Sequence, residues 1–428
     1  MTATREKQHS ERLPLLKDFK LRLLPVAAIY GGNASGKTNL CRALAFARNL
    51  VVLGVQPDAL IPVDTFLLDP GMADVPSTFV TELFVQGRCY EFGFSVNQHR
   101  VIEEWLVEIL KTTEKEIYRR EGDSIQFAES LDKDKFFHFA FKGTRENQLF
   151  LTNAVNQKIE LFKPIYDWFR DGMVFIAPDA RFGPFEQFLH HNSRLNELMN
   201  EALNRLDTGI ARLGGEEIPF ENLPIPADER NKLREIIGDN VTARLILNPL
   251  GERYVVWREG GNLKAKKLVA WHRGVDNSEI KFDLRSESDG TLRIIELLPA
   301  FLALCMPKMS RLYIIDELDR SLHTILTRKL LETFLSACGP NTRSQLLFTT
   351  HDVLLMDQHL FRRDEMWVTE RNSDGSTELI ALSDYKEIRK DKDIRKSYLQ
   401  GRLGGIPRIL LNGPLFNTER VAEGDNGQ

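Results

Sequence analysis

The stretch 29-IYGGNASGKTNL-40 decides how the chain is read. Gly31 is followed by four residues and then by Gly36-Lys37-Thr38, which is the spacing of a loop that wraps phosphates. Backbone N–H groups of such a loop converge on the anion, and the N-terminus of the following helix adds partial positive charge. The candidate phosphate-contacting residues are Gly31, Asn33, Ser35, Gly36, Lys37 and Thr38. Lys37 would neutralise the β- and γ-phosphates, and Thr38 would hold Mg²⁺. The flanks fit this reading. Residues 25-PVAAIY-30 form an apolar, partly β-branched run, and Lys37 to about Leu53 alternates at helical spacing.

Three downstream stretches extend the argument. In 311-RLYIIDELD-319 an apolar strand ends in two carboxylates. Asp316 would complete the Mg²⁺ shell, and Glu317 would orient the attacking water and take its proton. In 344-SQLLFTTHD-352 a second such strand ends at His351, placed to meet the γ-phosphate. In 286-SESDGTLRIIELLPAFLAL-304 a polar turn opens a helix, where Ser288 and the Gly290 N–H offer an anion site. Taken singly, each has a plainer explanation: a solvated acidic cluster, a structural histidine, a simple N-cap. Their order and spacing suit helices and strands alternating through one α/β sheet.

With these motifs in place, the chain resembles ABC-type ATPases. The tetrapeptide 288-SDGT-291 stands where that class has its signature, 319-DRSLH-323 where it has the D-loop, and His351 where it has the switch histidine. More narrowly it resembles the OLD-like ATPases of bacterial anti-phage and abortive-infection systems, near the Septu, PARIS and AbiL-type proteins. The supporting stretches are 316-DELDRSLH-323, 362-RRDEMWVTE-370 and 397-SYLQGRLGGIP-407. The resemblance implies ATP and Mg²⁺ as cofactors and ATP hydrolysis as the reaction. Glu317 and His351 would be catalytic, and Ser288 and Gly290 would serve the nucleotide of another subunit. It implies a homodimer or a larger homo-oligomer, a separately encoded nuclease or toxin as effector, and a phage-encoded trigger. The alternative is an SMC-like DNA-binding ATPase of repair or chromosome maintenance, with nucleic acid as partner. A transporter subunit fits worse, because a large segment separates Lys37 from Ser288.

Departures from the family pattern are visible. Asp289 occupies the usual place of a second glycine. An opening Asn-Phe-Arg-Ser-like strand is not recognisable, which allows the native start to lie upstream. No motif marks the glutamine that usually senses Mg²⁺ between the lobes; Gln56 and Gln86 are candidates. No Toprim-like acidic set follows His351, so any nuclease would be a separate polypeptide. His190-His191 lacks a partner at ligand spacing and carries no metal expectation.

Composition bounds the rest. The 428 residues allow two or three lobes. Charged residues at 28% and hydrophobic ones at 42% describe neither a disordered nor a membrane protein, and a net charge of −4 does not mark a nucleic-acid binder. The longest apolar run, 297–306, is too short to span a bilayer, and no apolar signal segment opens the chain, so a cytoplasmic location is expected. The four cysteines are scattered and read as packing residues.

The expected fold is an α/β ABC-type head with an antiparallel β lobe and an inserted helical subdomain. Residues 1–140 would hold the phosphate loop and the β lobe, 141–240 the mainly helical insertion, 241–410 the rest of the head, and 411–428 a disordered tail. Alternation over 79–96, with a turn at Gln86-Gly87, and over 101–127, with a turn at 121–123, marks the β lobe.

Overall fold

A strand covered on both faces must be apolar throughout, and 26-VAAIY-30 is buried at every position. The computed structural model describes residues 1–179, 193–238, 242–247, 252–307, 309–385 and 393–405. The expected tail and the pair His190-His191 lie outside them. A short ladder of β1 (Leu15–Leu16) and β2 (Leu21–Arg22) precedes β3 (Val26–Tyr30). Later in the chain come β9 (Met173–Ile176), β15 (Leu312–Ile315), β16 (Gln345–Thr349), β17 (Met366–Arg371) and β18 (Thr377–Ala381). They join β3 in one sheet of order β18-β17-β3-β16-β15-β9. Every pair is parallel except β17 with β18. The loops that follow β3, β15 and β16 therefore leave the same edge, side by side. That edge is where ligands bind in open parallel sheets.

The two-residue period of the strands feeds two cores. Tyr313 and Ile315 enter one, with Leu346 and Phe348 of β16 and the helices Asp289–Cys305 and Thr324–Ala337. Ile314 enters the other, with Leu50 and Val51 of the phosphate-loop helix (Lys37–Val52) and the antiparallel lobe. That lobe is a meander of β4 (Ser77–Val85), β5 (Arg88–Val96), β6 (Val101–Ile109), β7 (Glu114–Glu121) and β8 (Ser124–Phe127). Gln86 and Gly87 both take positive φ, as a tight two-residue hairpin requires. A further turn at 110–113, with no glycine to mark it, divides the 101–127 stretch into three strands rather than two.

The middle of the chain carries the helices Phe150–Asn156, Ser193–Arg205 and Ala227–Ile236, but it also contributes two strands. One is β9, at the border of the central sheet. The other, β10 (Ile210–Ile218), joins β11 (Thr242–Leu247), β12 (Glu252–Glu259), β13 (Asn262–Arg273) and β14 (Glu279–Asp283) in a separate antiparallel sheet. A four-residue run such as 173-MVFI-176 is too short for periodicity to tell strand from helix.

Near the N-terminus, charge is buried rather than solvated. The Arg362 guanidinium donates to the carbonyls of Glu6 (3.0 Å) and Gln8 (2.6 Å) and to Asp364 (2.7 Å). Glu365 Oε2 accepts from the Arg362 N–H (2.9 Å) and from the Arg12 guanidinium, while its Oε1 has no partner among the described residues. Burial pushes the Glu365 carboxyl up from 4.5 to about 7, against the opposing pull of Arg12. Between those values the folded chain holds a proton that the unfolded chain has released, so stability falls as pH rises through the window. We predict that Glu365→Gln, which keeps the shape of the protonated form, flattens this fall. Urea midpoints from pH 4.5 to pH 8 measure it, and a slope unchanged from wild type would assign the loss to other groups.

Candidate nucleotide site

The loop 31–38 is shaped by its neighbours as much as by its own glycines. Gly36 sits at φ 100°, ahead of the first helical residue, Lys37. A Cβ there would be strained and would overlap the Thr377 side chain. Thr377 Oγ1 donates to the Ser35 carbonyl (3.0 Å). Ser35 and Thr369 share a hydroxyl–hydroxyl bond of 2.6 Å, and Thr369 Oγ1 also donates to the Tyr30 carbonyl (3.2 Å). The Gly32 N–H donates to the Gly405 carbonyl (2.5 Å). One side of the loop is thus pinned by β17, β18 and the 401–405 segment. The motif alone gave no sign of Thr369 or Thr377.

Lys37 is buried and bends back over its own loop. Its Nζ donates to the carbonyls of Gly31 (2.8 Å) and Gly32 (3.0 Å) and lies 3.5 Å from His351 Nδ1. Burial pulls its pKa down, and the negative charges of Asp316, Glu317 and Asp319 oppose that pull. An anion entering the loop would offer this ammonium the charge-assisted bonds that neutral carbonyls now supply.

The carboxylates stand at the end of β15. Thr349 at the end of β16 donates its hydroxyl to Asp316 Oδ1 (2.5 Å) and accepts the Glu317 N–H (2.8 Å). Glu317 has φ 49°, an uncommon conformation for a non-glycine residue. Its Oε1 lies 3.9 Å from His351 Nε2. The His351 N–H donates to Asp319 Oδ2 (3.3 Å), so the segment after β16 is tied to the segment after β15.

Lys37, Glu317 and His351 border one cavity of about 1080 Å³. Its walls include the 33–38 loop, Glu317, His351, Arg371 and the 62–68 segment. Asp316, next to Glu317 in the chain and only 6% exposed, does not itself border it. Thr38, exposed on the wall, and Asp316 are oxygen donors of the kind a hard cation takes, so the pair suits Mg²⁺. Ser288 and Gly290 are not among the residues that border the cavity. Ser288 Oγ caps its own helix by accepting the Thr291 N–H (3.1 Å). Gly290 packs on the 319–323 turn, where a Cβ would come within 2.8 Å of the Ser321 carbonyl. Gln56 and Gln86 do not border the cavity either. Asp64 and Thr65 do, and no glutamine lies between residues 62 and 68.

Gly36→Ala tests how tightly the loop is built. It should cost about 1–3 kcal/mol, from backbone strain and overlap with Thr377. Denaturant titration measures the loss, and wild-type stability would contradict the packing described.

Residues 26–357 match the family described as "AAA domain, putative AbiEii toxin, Type IV TA system". No curated protein matches the chain. Among solved structures, the SMC head domain from Thermotoga maritima is 14% identical, with 86% of this chain and 96% of that chain covered and a TM-score of 0.30. A crystal structure of the SmcHead bound to the C-winged helix domain of ScpA is 13% identical, with 86% and 94% covered and a TM-score of 0.38. The family match runs from the first residue of β3 to beyond His351 and so takes in every element that borders the loop–carboxylate–histidine cluster except β17, β18 and the end of the chain. The chain belongs to this AAA-domain family, on an α/β fold whose mostly parallel sheet carries the phosphate loop at the end of β3.

Proposed function

We propose that the protein binds ATP with Mg²⁺, hydrolyses it, and uses the cycle to control a separately encoded effector in bacterial anti-phage defence. One observation carries the enzymatic part. The phosphate loop, Glu317 and His351 border a single cavity, while Ser288 and Gly290 sit outside it beside the 319–323 turn.

In this reading Lys37 exchanges its two carbonyl partners for oxygens of the β- and γ-phosphates. Gly31, Asn33, Ser35 and Gly36 shape the cradle. Thr38 and Asp316 hold Mg²⁺, which neutralises phosphate charge when bound. Glu317 accepts a proton from the attacking water as the bond between the γ-phosphorus and its bridging oxygen breaks, releasing ADP and phosphate. His351, within reach of both Glu317 and Lys37, steadies the γ-phosphate. Ser288 and Gly290 contact the nucleotide of a second copy, so the active form is a homodimer or a larger homo-oligomer, and ATP shifts it between open and closed arrangements.

The defence role is supported by the family, whose description names a toxin–antitoxin system. A kinship with Septu, PARIS and AbiL-type ATPases, a nuclease or toxin as effector, a phage-encoded trigger and a cytoplasmic site of action belong to the same reading. Among the described residues no helix is long and apolar enough to cross a membrane. The DNA-repair alternative finds less support, because Lys264, Lys266, Lys267 and Lys281 of the β10–β14 sheet each pair with a glutamate. That leaves them less free to meet phosphates.

Lys37→Ala should remove charge-assisted bonds of about 1.5–3 kcal/mol and weaken ATP binding roughly 10- to 100-fold, read by fluorescent-nucleotide titration. Glu317→Gln should keep ATP bound and lower kcat by about 10²–10⁴-fold. Turnover at the wild-type rate would remove Glu317 from its role. Tagged Glu317→Gln protein, loaded with ATP in cells that carry the neighbouring genes, should bring down a stoichiometric protein partner. Bound DNA with no such partner would favour the repair reading.

A further inference from the structure

Arg293 lies in the helix Asp289–Cys305, one turn in from Ser288, and its side chain is not solvated. The residue is 3% exposed. Its guanidinium donates to three backbone carbonyls: Ala177 just beyond β9 (3.1 Å), Asp316 (3.3 Å) and Glu317 (3.1 Å). Its Nε has no hydrogen-bond partner among the described residues. A buried cation directed at carbonyls rather than at a carboxylate is a costly arrangement. It persists only where the surroundings dictate it.

What it holds is the strained residue. With φ 49°, Glu317 would relax if its peptide groups were free to turn. They are not free. The Glu317 N–H is taken by Thr349 Oγ1 (2.8 Å) and the Glu317 carbonyl by Arg293. The helix that carries Arg293 is itself anchored. Glu296, one turn further on and on the same side, forms a 2.6 Å ion pair with Arg253 of β12, and both are buried. The β12 strand, the helix that opens at Ser288 and the Glu317 backbone are therefore joined by bonds that leave no slack.

We propose that Arg293 is a positioning residue for the hydrolytic step: it fixes the Glu317 backbone so that the carboxylate faces the phosphate loop and His351, and it ties that orientation to the helix carrying Ser288 and Gly290. The inference rests on the ATPase reading above. Ser288 and Gly290 are placed to meet a second copy's nucleotide, so a shift of their helix reaches the Glu317 carbonyl through one side chain. Thr349 belongs to β16, a separate element, and supplies the other half of the clamp.

The test compares wild type, Arg293→Lys and Arg293→Met for fluorescent-ATP affinity, kcat, KM and thermal unfolding. A lysine keeps the charge but cannot fork to three carbonyls. Arg293→Lys should fold cooperatively, bind ATP within about threefold of wild type, and lose at least about tenfold in kcat with KM little changed. Misplacing a reacting group by about 1 Å costs up to about 100-fold. Arg293→Met should lose more of kcat than Arg293→Lys does. A wild-type kcat in Arg293→Lys overturns the proposal. So does an ATP affinity that falls as far as kcat, because the residue would then be supporting the fold at large. Should Arg293→Met fail to fold, Arg293→Lys decides alone. The ATPase reading fails separately, when wild type binds ATP without turning it over, and the proposal then falls with it.

Discussion

The hydroxyl of Thr349 joins the ends of two strands at the place where the charged groups gather. It donates to Asp316 and accepts from the Glu317 N–H, so one oxygen sets the positions of both carboxylate-bearing residues. The bond exists because β15 and β16 are parallel neighbours in a register that pairs Ile315 with Phe348. A slip of one residue would turn Thr349 to the other face of the sheet and leave Asp316 buried without its partner. The register is held in turn by the apolar alternation of both strands, whose side chains feed two separate cores.

Three buried arginines are satisfied in a common way. Arg120, Arg293 and Arg362 are nearly inaccessible, and each gives several guanidinium protons to backbone carbonyls. A guanidinium can do this because its donors are spread over a rigid plane and stay charged when desolvated. Such side chains join segments far apart in the chain. Arg362 holds residues 4–8 against the strand-opening turn at 363–365, and Arg293 holds the helix that opens at Ser288 against the end of β15. Each fixes how one element sits relative to another, which area burial alone leaves loose.

The motifs were legible because phosphate binding restricts residue type and local spacing together. Within Gly31 through Thr38 the backbone N–H groups and the Lys37 and Thr38 side chains lie at fixed local spacing, so the sequence shows which residues the loop uses. Asp316, Glu317 and His351 were legible from their position at the ends of apolar runs. Thr369 and Thr377 were not, since a threonine in a strand is ordinary and only its place beside the loop makes it matter. Arg293 was equally hidden: an arginine in an amphipathic helix is expected to be solvated, and here it is buried. The two glutamine candidates show the same limit of local reading. Gln56 and Gln86 matched in residue type, but the 62–68 segment, without a glutamine, borders the cavity.

By itself, the sequence determined the phosphate loop, the α/β character and the order of the motifs, because each depends on residues close together in the chain. The tertiary structure decided what those motifs meet. It put β16 between β3 and β15, brought His351 to Glu317 and Lys37, and kept Ser288 and Gly290 away from the cavity. It also recruited β9 and β10 from a stretch dominated by helices. These outcomes rest on strand pairing and on the burial of charge between distant segments. Both are energies of contact between residues that no local pattern brings together.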